Sequence, residues 1–335
     1  MSTRLAVLGA GSWGTVFAQV LADAGCEVVL WARREETATQ IREQHRNPGY
    51  LGEHDLPSSI TATADIAAAL DGADGAVVAI PAQVLRETLR GWRSAGQVTA
   101  FDIPVLSLVK GIERGTDARI SQILADEIAV GPELFTVLSG PNLSAEIAQR
   151  RPCGTVIAGA DAQVVERVAA WCDAPYLRAY TSDDVIGVEI AGAVKNVIAI
   201  VVGAASGLGH GQNTIASLIT RGLAEITRLG TALGGKRDTF AGLAGMGDLV
   251  ATCASPLSRN HRLGEGLGRG LNLEQAMAEV GQTAEGVATA RAVSDLARAL
   301  GVDMPLTTAV VDVVDRQAKI TDVTAALLSR SVRPE

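Results

Sequence analysis

Residues 190–203, IAGAVKNVIAIVVG, are small or apolar at every position except two adjacent ones, Lys195 and Asn196. Burying an unpaired ammonium costs on the order of several kcal/mol, a large share of what holds a domain together. Lys195 therefore either reaches along its helix to water or is held in place for chemistry. The fitting chemistry is proton transfer at an oxygen that gains negative charge, where a dry ammonium both stabilises the anion and protonates it.

Other polar residues also stand in apolar or glycine-rich settings. Asp248 lies within GLAGMGDLVATC (242–253), and an acid so placed needs a partner, for which Lys195 is the candidate. In SPLSRN (255–260), Ser258 has the character of a helix N-cap, with Arg259 and Asn260 in the first turn. The helix dipole disfavours a cation there unless an anion is also bound, and a phosphate would match a guanidinium bidentately. Taken alone, Arg259 also reads as a surface arginine. Lys110 follows the apolar run 104–109, and LSGPN (138–142) brings Gly140 and Asn142 to another strand end. Ligands gather beyond the carboxyl ends of strands in open α/β sheets, although a solvated lysine and an ordinary turn fit the same residues. Glu285 in GQTAEG (281–286) precedes a helix and also reads as a capping residue.

Three glycines, Gly9, Gly11 and Gly14, form GxGxxG between an apolar run (4–9) and a helical pattern (15–25). This is the fingerprint of a dinucleotide site: a tight turn, close approach to pyrophosphate, and free N–H groups at a helix start. At the end of the second strand an acid would hold the adenine ribose and repel a 2′-phosphate. Here stand Ala32, Arg33 and Arg34, which permit NADP as well as NAD, or simply open a surface helix.

Such groups need elements to carry them. Apolar, β-rich runs at 4–9, 27–32, 75–80, 104–109, 134–140, 154–159 and 176–181 alternate with helical patterns. Strands that are apolar throughout imply a parallel sheet covered on both faces. After about Asp184 the chain is helix-compatible throughout, with glycine-rich breaks at 203–211, 234–235 and 242–247. The expected architecture is a doubly wound α/β domain over 1–184 followed by an all-α substrate domain over 185–335.

The net charge of −8, without a basic stripe, argues against nucleic acid as a partner. Cys26, Cys153, Cys172 and Cys253 show no CxxC spacing, so reduced thiols in a cytoplasm fit best. His45, His54, His210 and His261 are scattered, and no metal site is expected. Neither a Ser/His/Asp order nor a GxSxG elbow occurs, despite Ser139-Gly140. The N-terminal residues read as strand and glycine loop rather than leader peptide. Lys195 and Asn196 interrupt the one run that resembles a membrane span.

Taken in order, GAGSWGTVFA, VVLWARR, NPGYL, AIPAQVLR, SLVKGIE, SGPNLSAEIA, GVEIAGAVKNVIAIVVG, GLAGMGDLVATCASPLSRNHRLG and AEG resemble the NAD(P)-dependent glycerol-3-phosphate dehydrogenase family, of the soluble bacterial kind. The resemblance runs from residue 7 to about 290. It implies a Rossmann domain, a helical domain and a site between them that reduces dihydroxyacetone phosphate to sn-glycerol 3-phosphate for phospholipid synthesis. It assigns cofactor contacts to Ser12, Trp13, Arg33, Arg34, Tyr50, Lys110, Ser144, Arg259, Thr283 and Glu285. Substrate contacts fall to Lys110, Gly140, Asn142, Lys195, Asp248, Ser258, Arg259 and Asn260, with Lys195 catalytic and Asn196 supporting the substrate. Gly192, one turn before Lys195, is expected to leave room for a ligand. Asn142, Ser144 and Thr283 depart from the residues usual in the family. A homodimer is also implied. The rival readings are a 3-hydroxyacid, 6-phosphogluconate or ketopantoate type of dehydrogenase with the same layout, and a dinucleotide-sensing module without catalysis.

Overall fold

The structure, a computed structural model, describes residues 2–281, 284–318 and 320. The N-terminal part runs β1 (Arg4–Leu8), α1 (Ser12–Asp23), β2 (Glu27–Trp31), α2 (Glu35–Gln44), α3 (Pro48–Leu51), β3 (Ile60–Thr63), α4 (Ile66–Leu70), β4 (Gly75–Val78), α5 (Ala82–Ser94), β5 (Val105–Ser107), α6 (Ile120–Ile128), β6 (Phe135–Ser139), α7 (Ser144–Ala148), β7 (Cys153–Gly159), α8 (Ala162–Trp171) and β8 (Leu177–Ser182). The eight strands form one sheet in the order β3-β2-β1-β4-β5-β6-β7-β8. The chain reverses its direction of travel across the sheet between β1 and β4, which opens a crevice at their carboxyl ends.

Alternation along β1 shows why apolar strands suit a sheet buried on both faces. Leu5 and Val7 meet Val16 and Val20 of α1 on one side. Ala6 and Leu8 meet Leu85 and Leu89 of α5 on the other. Two expectations need correction. β3 has no apolar run: ITAT alternates, and it pairs parallel to β2 through Val28 opposite Ile60. The sheet is also not wholly parallel, because β7 runs antiparallel to β6, with Val137 opposite Ala158. The link between them holds only the five-residue α7. At about 1.5 Å per residue such a helix cannot return the chain along a strand rising about 3.3 Å per residue.

From Val185 onward every described element is a helix: α9 (Val185–Gly207), α10 (Gln212–Ala232), α11 (Arg237–Ala241), a π turn (Leu243–Gly247), α12 (Asp248–Ala254), α13 (Arg259–Gly268), α14 (Leu273–Val280), α15 (Glu285–Ala299) and α16 (Pro305–Asp315). The glycines at 242–247 are thus not a break but a wide turn that feeds α12. Gly203 and Gly207 lie inside α9. Asp184 starts α9 by accepting from the Gly187 amide at 2.8 Å, while its other oxygen accepts from Lys236 N and Thr239 Oγ1.

α9 is the axis of this part, apolar all round because other helices surround it. By length and hydropathy it matches a membrane-crossing helix, yet 89% of its apolar window is buried within the fold. Against α13 the two backbones touch. A Cβ added to Gly203 would lie 2.0 Å from the His261 carbonyl oxygen, and one added to Gly264 2.0 Å from that of Ile200. Toward the sheet layer, Glu189 of α9 accepts from Ser121 N and Oγ at the start of α6.

Candidate active site

The glycine loop is built for a large anion. Gly9 has φ +128°, and a Cβ there would lie 2.7 Å from the Ala79 carbonyl oxygen. A Cβ on Gly14 would come within 1.9 Å of the Gly9 oxygen, so α1 presses directly on the loop. At Gly11 the space a side chain would fill is open, and no side chain caps α1. Free N–H groups therefore face an open cradle, which fits a dinucleotide pyrophosphate. Buried Asn47, at the N-cap of α3, donates to Ala10 O at 3.0 Å and to Thr15 Oγ1 at 2.8 Å, fixing the loop's peptide plane. Sequence reasoning passed over this residue. Its only mark was its place in NPGYL beside Tyr50, which is 40% exposed.

Ser12 and Ser144 meet across the cradle, with hydroxyls 3.0 Å apart. Trp13 packs edge-on against Phe17, and its indole Nε1 is buried without a partner. Ala32 is buried, whereas Arg33 and Arg34 are exposed beyond β2 at the start of α2. Thr283 lies outside the described residues.

The structure brings the other polar residues together around Asp248, the first residue of α12, which is 1% exposed. Its Oδ1 accepts from Lys195 Nζ in a short contact and from Thr252 Oγ1 at 3.4 Å. Its Oδ2 accepts from Lys110 Nζ at 2.6 Å and from Ser139 Oγ at 3.1 Å. Lys110 also donates to Gly140 O at 3.2 Å, and Lys195 to Thr252 Oγ1 at 2.8 Å. Thr252 and Ser139 escaped sequence reasoning, although Thr252 follows Asp248 by four residues on one helix and so shares its face.

Burial is the largest influence on the Lys195 ammonium. Asp248 opposes it and Lys110 adds to it, and the outcome is a fall to about 8. Burial alone would raise the Asp248 carboxyl, but Lys110 and Lys195 outweigh it and hold the group below the usual carboxylate range. Glu285 is raised by burial, with the Arg259 charge partly offsetting this. Three cations (Lys110, Lys195, Arg259) thus face two acids (Asp248, Glu285), a local excess of positive charge in an acidic protein.

Asn196 joins the group through its amide, donating to Lys110 O at 3.4 Å and accepting from Asn260 Nδ2 at 3.1 Å. Asn260 in turn accepts from Gly286 N at 3.0 Å, which links α9, α13 and α15. Ser258 is the N-cap of α13, accepting from His261 N at 3.2 Å, with Arg259 as the first helical residue. Asn142 turns toward β7, accepting from Thr155 Oγ1 at 3.0 Å and donating to Gly154 O at 3.4 Å. Gly192 does not leave room for a ligand. A Cβ there would lie 2.8 Å from Ser139 Oγ and 3.6 Å from Lys110 Cγ, so the space admits the sheet's own side chains. Among the described residues, no group of three or more His, Cys, Asp or Glu side chains is placed to hold a metal.

Comparison with known proteins gives a consistent result. Family models described as the N-terminus and C-terminus of NAD-dependent glycerol-3-phosphate dehydrogenase match residues 4–165 and 184–325. A glycerol-3-phosphate dehydrogenase (NAD(P)+) of Streptomyces griseus subsp. griseus is 52% identical over 332 residues, covering 99% of this chain and 98% of the relative. One from Corynebacterium glutamicum (strain R) is 52% identical, covering 99% of each. The crystal structure of glycerol-3-phosphate dehydrogenase from Coxiella burnetii matches with a TM-score of 0.92 at 34% identity, over 98% of this chain and 99% of that one.

Proposed function

The chain belongs to the NAD-dependent glycerol-3-phosphate dehydrogenase family, and we propose that Lys195 moves the proton as it reduces dihydroxyacetone phosphate to sn-glycerol 3-phosphate. The observation that carries this reading is the state of the Lys195 ammonium. It is 7% exposed, and two of its three protons are given to Asp248 and Thr252 among the described residues. The third is available to a carbonyl oxygen.

The nicotinamide, when bound, supplies the hydride, and NAD or NADP serves as cofactor. Lys195 donates to the ketone oxygen, stabilises the alkoxide as it forms and passes its proton to it. In the oxidative direction neutral Lys195 removes the hydroxyl proton. A pKa near 8 lets one group serve both directions near neutrality. Asp248 keeps the ammonium charged and aimed, and Lys110, Gly140 and Asn142 line the sheet side of the substrate. Arg259, with Ser258 and the N-terminus of α13, grips the phosphate and orients the carbonyl. Asn196 and Asn260 hold that grip against α9.

Gly9, Gly11, Ser12, Trp13 and Gly14 cradle the pyrophosphate, with Tyr50 and Ser144 beside them. Arg33 and Arg34 meet the adenosine end, while Lys110, Arg259, Thr283 and Glu285 complete the cofactor contacts. In this reading, residues 1–184 bind the dinucleotide and 185–335 carry the substrate chemistry, with the division at the start of α9. The enzyme works as a cytoplasmic homodimer feeding glycerophospholipid synthesis, a reading supported by four unpaired cysteines and by the family resemblance.

Turnover of dihydroxyacetone phosphate with NADH and with NADPH tests the reading, run beside Lys195→Ala. That variant loses roughly 10²- to 10⁴-fold in kcat while still binding NADPH. Near-normal turnover would remove Lys195 from its role. A 2-hydroxy acid used in preference would favour the rival dehydrogenases, and cofactor binding without turnover would favour the sensor.

A further inference from the structure

The two oxygens of Asp248 are claimed from opposite sides. Oδ1 belongs to the helices, through Lys195 and Thr252, and Oδ2 belongs to the sheet, through Lys110 and Ser139. The two sheet donors differ in kind. Lys110 is a long side chain that also donates to Gly140 O and, in the proposed function, faces the ligands. Ser139 is short, 1% exposed and fixed as the last residue of β6, where its own carbonyl accepts from Thr155 Oγ1 at 3.2 Å. Its hydroxyl is seated against the bare Cα of Gly192 on the Lys195 helix. We propose that Ser139 is a positioning residue of the reaction: its hydroxyl pins Oδ2 of Asp248 and so keeps Oδ1 turned to Lys195 while Lys110 attends to ligands. The inference rests on Lys195 as the proton donor.

The consequence is electrostatic as well as geometric. A carboxylate oxygen aimed at an ammonium favours its charged form, and one turned aside favours it less. Without the pin Oδ1 turns off Lys195, and Lys195 gives up its proton at lower pH. The groups facing the pair are Lys110 beyond β5, Cys253 on α12, Arg259 at the start of α13 and Glu285 at the start of α15. The Cys253 thiol, pushed up by burial to about 12, stays neutral across the working range.

Ser139→Ala tests the proposal through the pH profile of kcat for ketone reduction. The alkaline limb, set by loss of the Lys195 proton, should move down by about half a pH unit or more. Turnover should fall several-fold while the KM for NADPH stays unchanged. Packing is separated by the double variant Ser139→Ala with Gly192→Ala, whose new methyl, 2.8 Å from the Oγ position and 3.5 Å from the remaining Cβ, extends into the space the hydroxyl vacates. If the hydroxyl acts as proposed, the double variant regains thermal stability but keeps the displaced limb. A limb that stays in place in Ser139→Ala, or returns in the double variant, overturns the proposal. Failure of the Lys195 reading itself would show separately, as a native profile with no limb near 8 and a Lys195→Ala enzyme that still turns over.

Discussion

Replacing Asp248 by asparagine removes the negative charge that, among the described residues, touches Lys195, and leaves the shape of the site nearly intact. Two unit charges about 3 Å apart interact by roughly 5 kcal/mol at an effective dielectric of ~20, or about four pKa units. An amide keeps part of the hydrogen bonding, so the realised fall lies between about two and four units. The Lys110 repulsion, now unopposed, acts in the same direction. Lys195 then drops from about 8 to roughly 6 or below. At pH 7.5 the ammonium fraction falls from about three quarters to about 3% for a two-unit shift, and about a hundredfold further for four. Ketone reduction should therefore slow by roughly 25-fold to 2,500-fold and recover as the pH is lowered through the new pKa. The assay is the initial rate of NADPH oxidation with saturating dihydroxyacetone phosphate across the pH range. Quenching of NADPH fluorescence serves as the control for an intact cofactor site. Turnover within about threefold of native with the alkaline limb still near 8 would refute the coupling of Asp248 to the Lys195 proton.

Two further outcomes follow from other parts of the molecule. Arg259→Ala should raise the KM for dihydroxyacetone phosphate by on the order of 10²-fold, with a smaller loss for an unphosphorylated hydroxyketone. Equal losses for both would mean that the phosphate is held elsewhere. Glu225, on α10 and 1% exposed, accepts from Leu306 N at 2.7 Å and Thr307 N at 3.3 Å at the start of α16. Burial pushes its carboxyl up to about 7. Between the usual carboxylate pKa and about 7 the folded chain holds a proton that the unfolded chain has lost. Stability from this group is thus full at the acid end and lost as pH rises through the window, by roughly 3 kcal/mol in all. Glu225→Gln should flatten that slope in urea midpoints measured from acid to mildly alkaline pH, and an unchanged slope would contradict the assignment.

Much of the site was legible because the sequence places polar residues where an apolar context makes them conspicuous. Lys195 in an apolar run and Asp248 among glycines stand out individually, and their need for partners pointed each to the other. The GxGxxG loop was readable because its chemistry is local, confined to one strand, one turn and one helix. Less visible were contacts that depend on tertiary geometry across long separations. Ser139 and Asp248 lie 109 residues apart, and Lys110 and Asp248 138 apart. Asn47 reaches the glycine loop across 37 residues. Among the elements, β3 was missed because two threonines in four residues leave no apolar run. The reversal at β7 is set by the length of a connecting helix rather than by strand composition. The glycines at 242–247 look like a break because glycine disfavours helix, yet the turn they form is a widened helical one.

The bare meeting of α9 and α13 at Gly203 and Gly264 has a consequence for motion. Where carbonyl oxygens rest on neighbouring α-carbons, no compliant side chain lies between the two rods to absorb displacement. Whatever opening or closing occurs over the sheet, Lys195 on one rod and the Arg259 guanidinium at the head of the other travel together, like the jaws of a locked calliper. If Lys195 meets the carbonyl and Arg259 the phosphate, as proposed, the ketose is measured between two rigidly spaced points. A chain one carbon longer or shorter, seated at one point, would then miss the other.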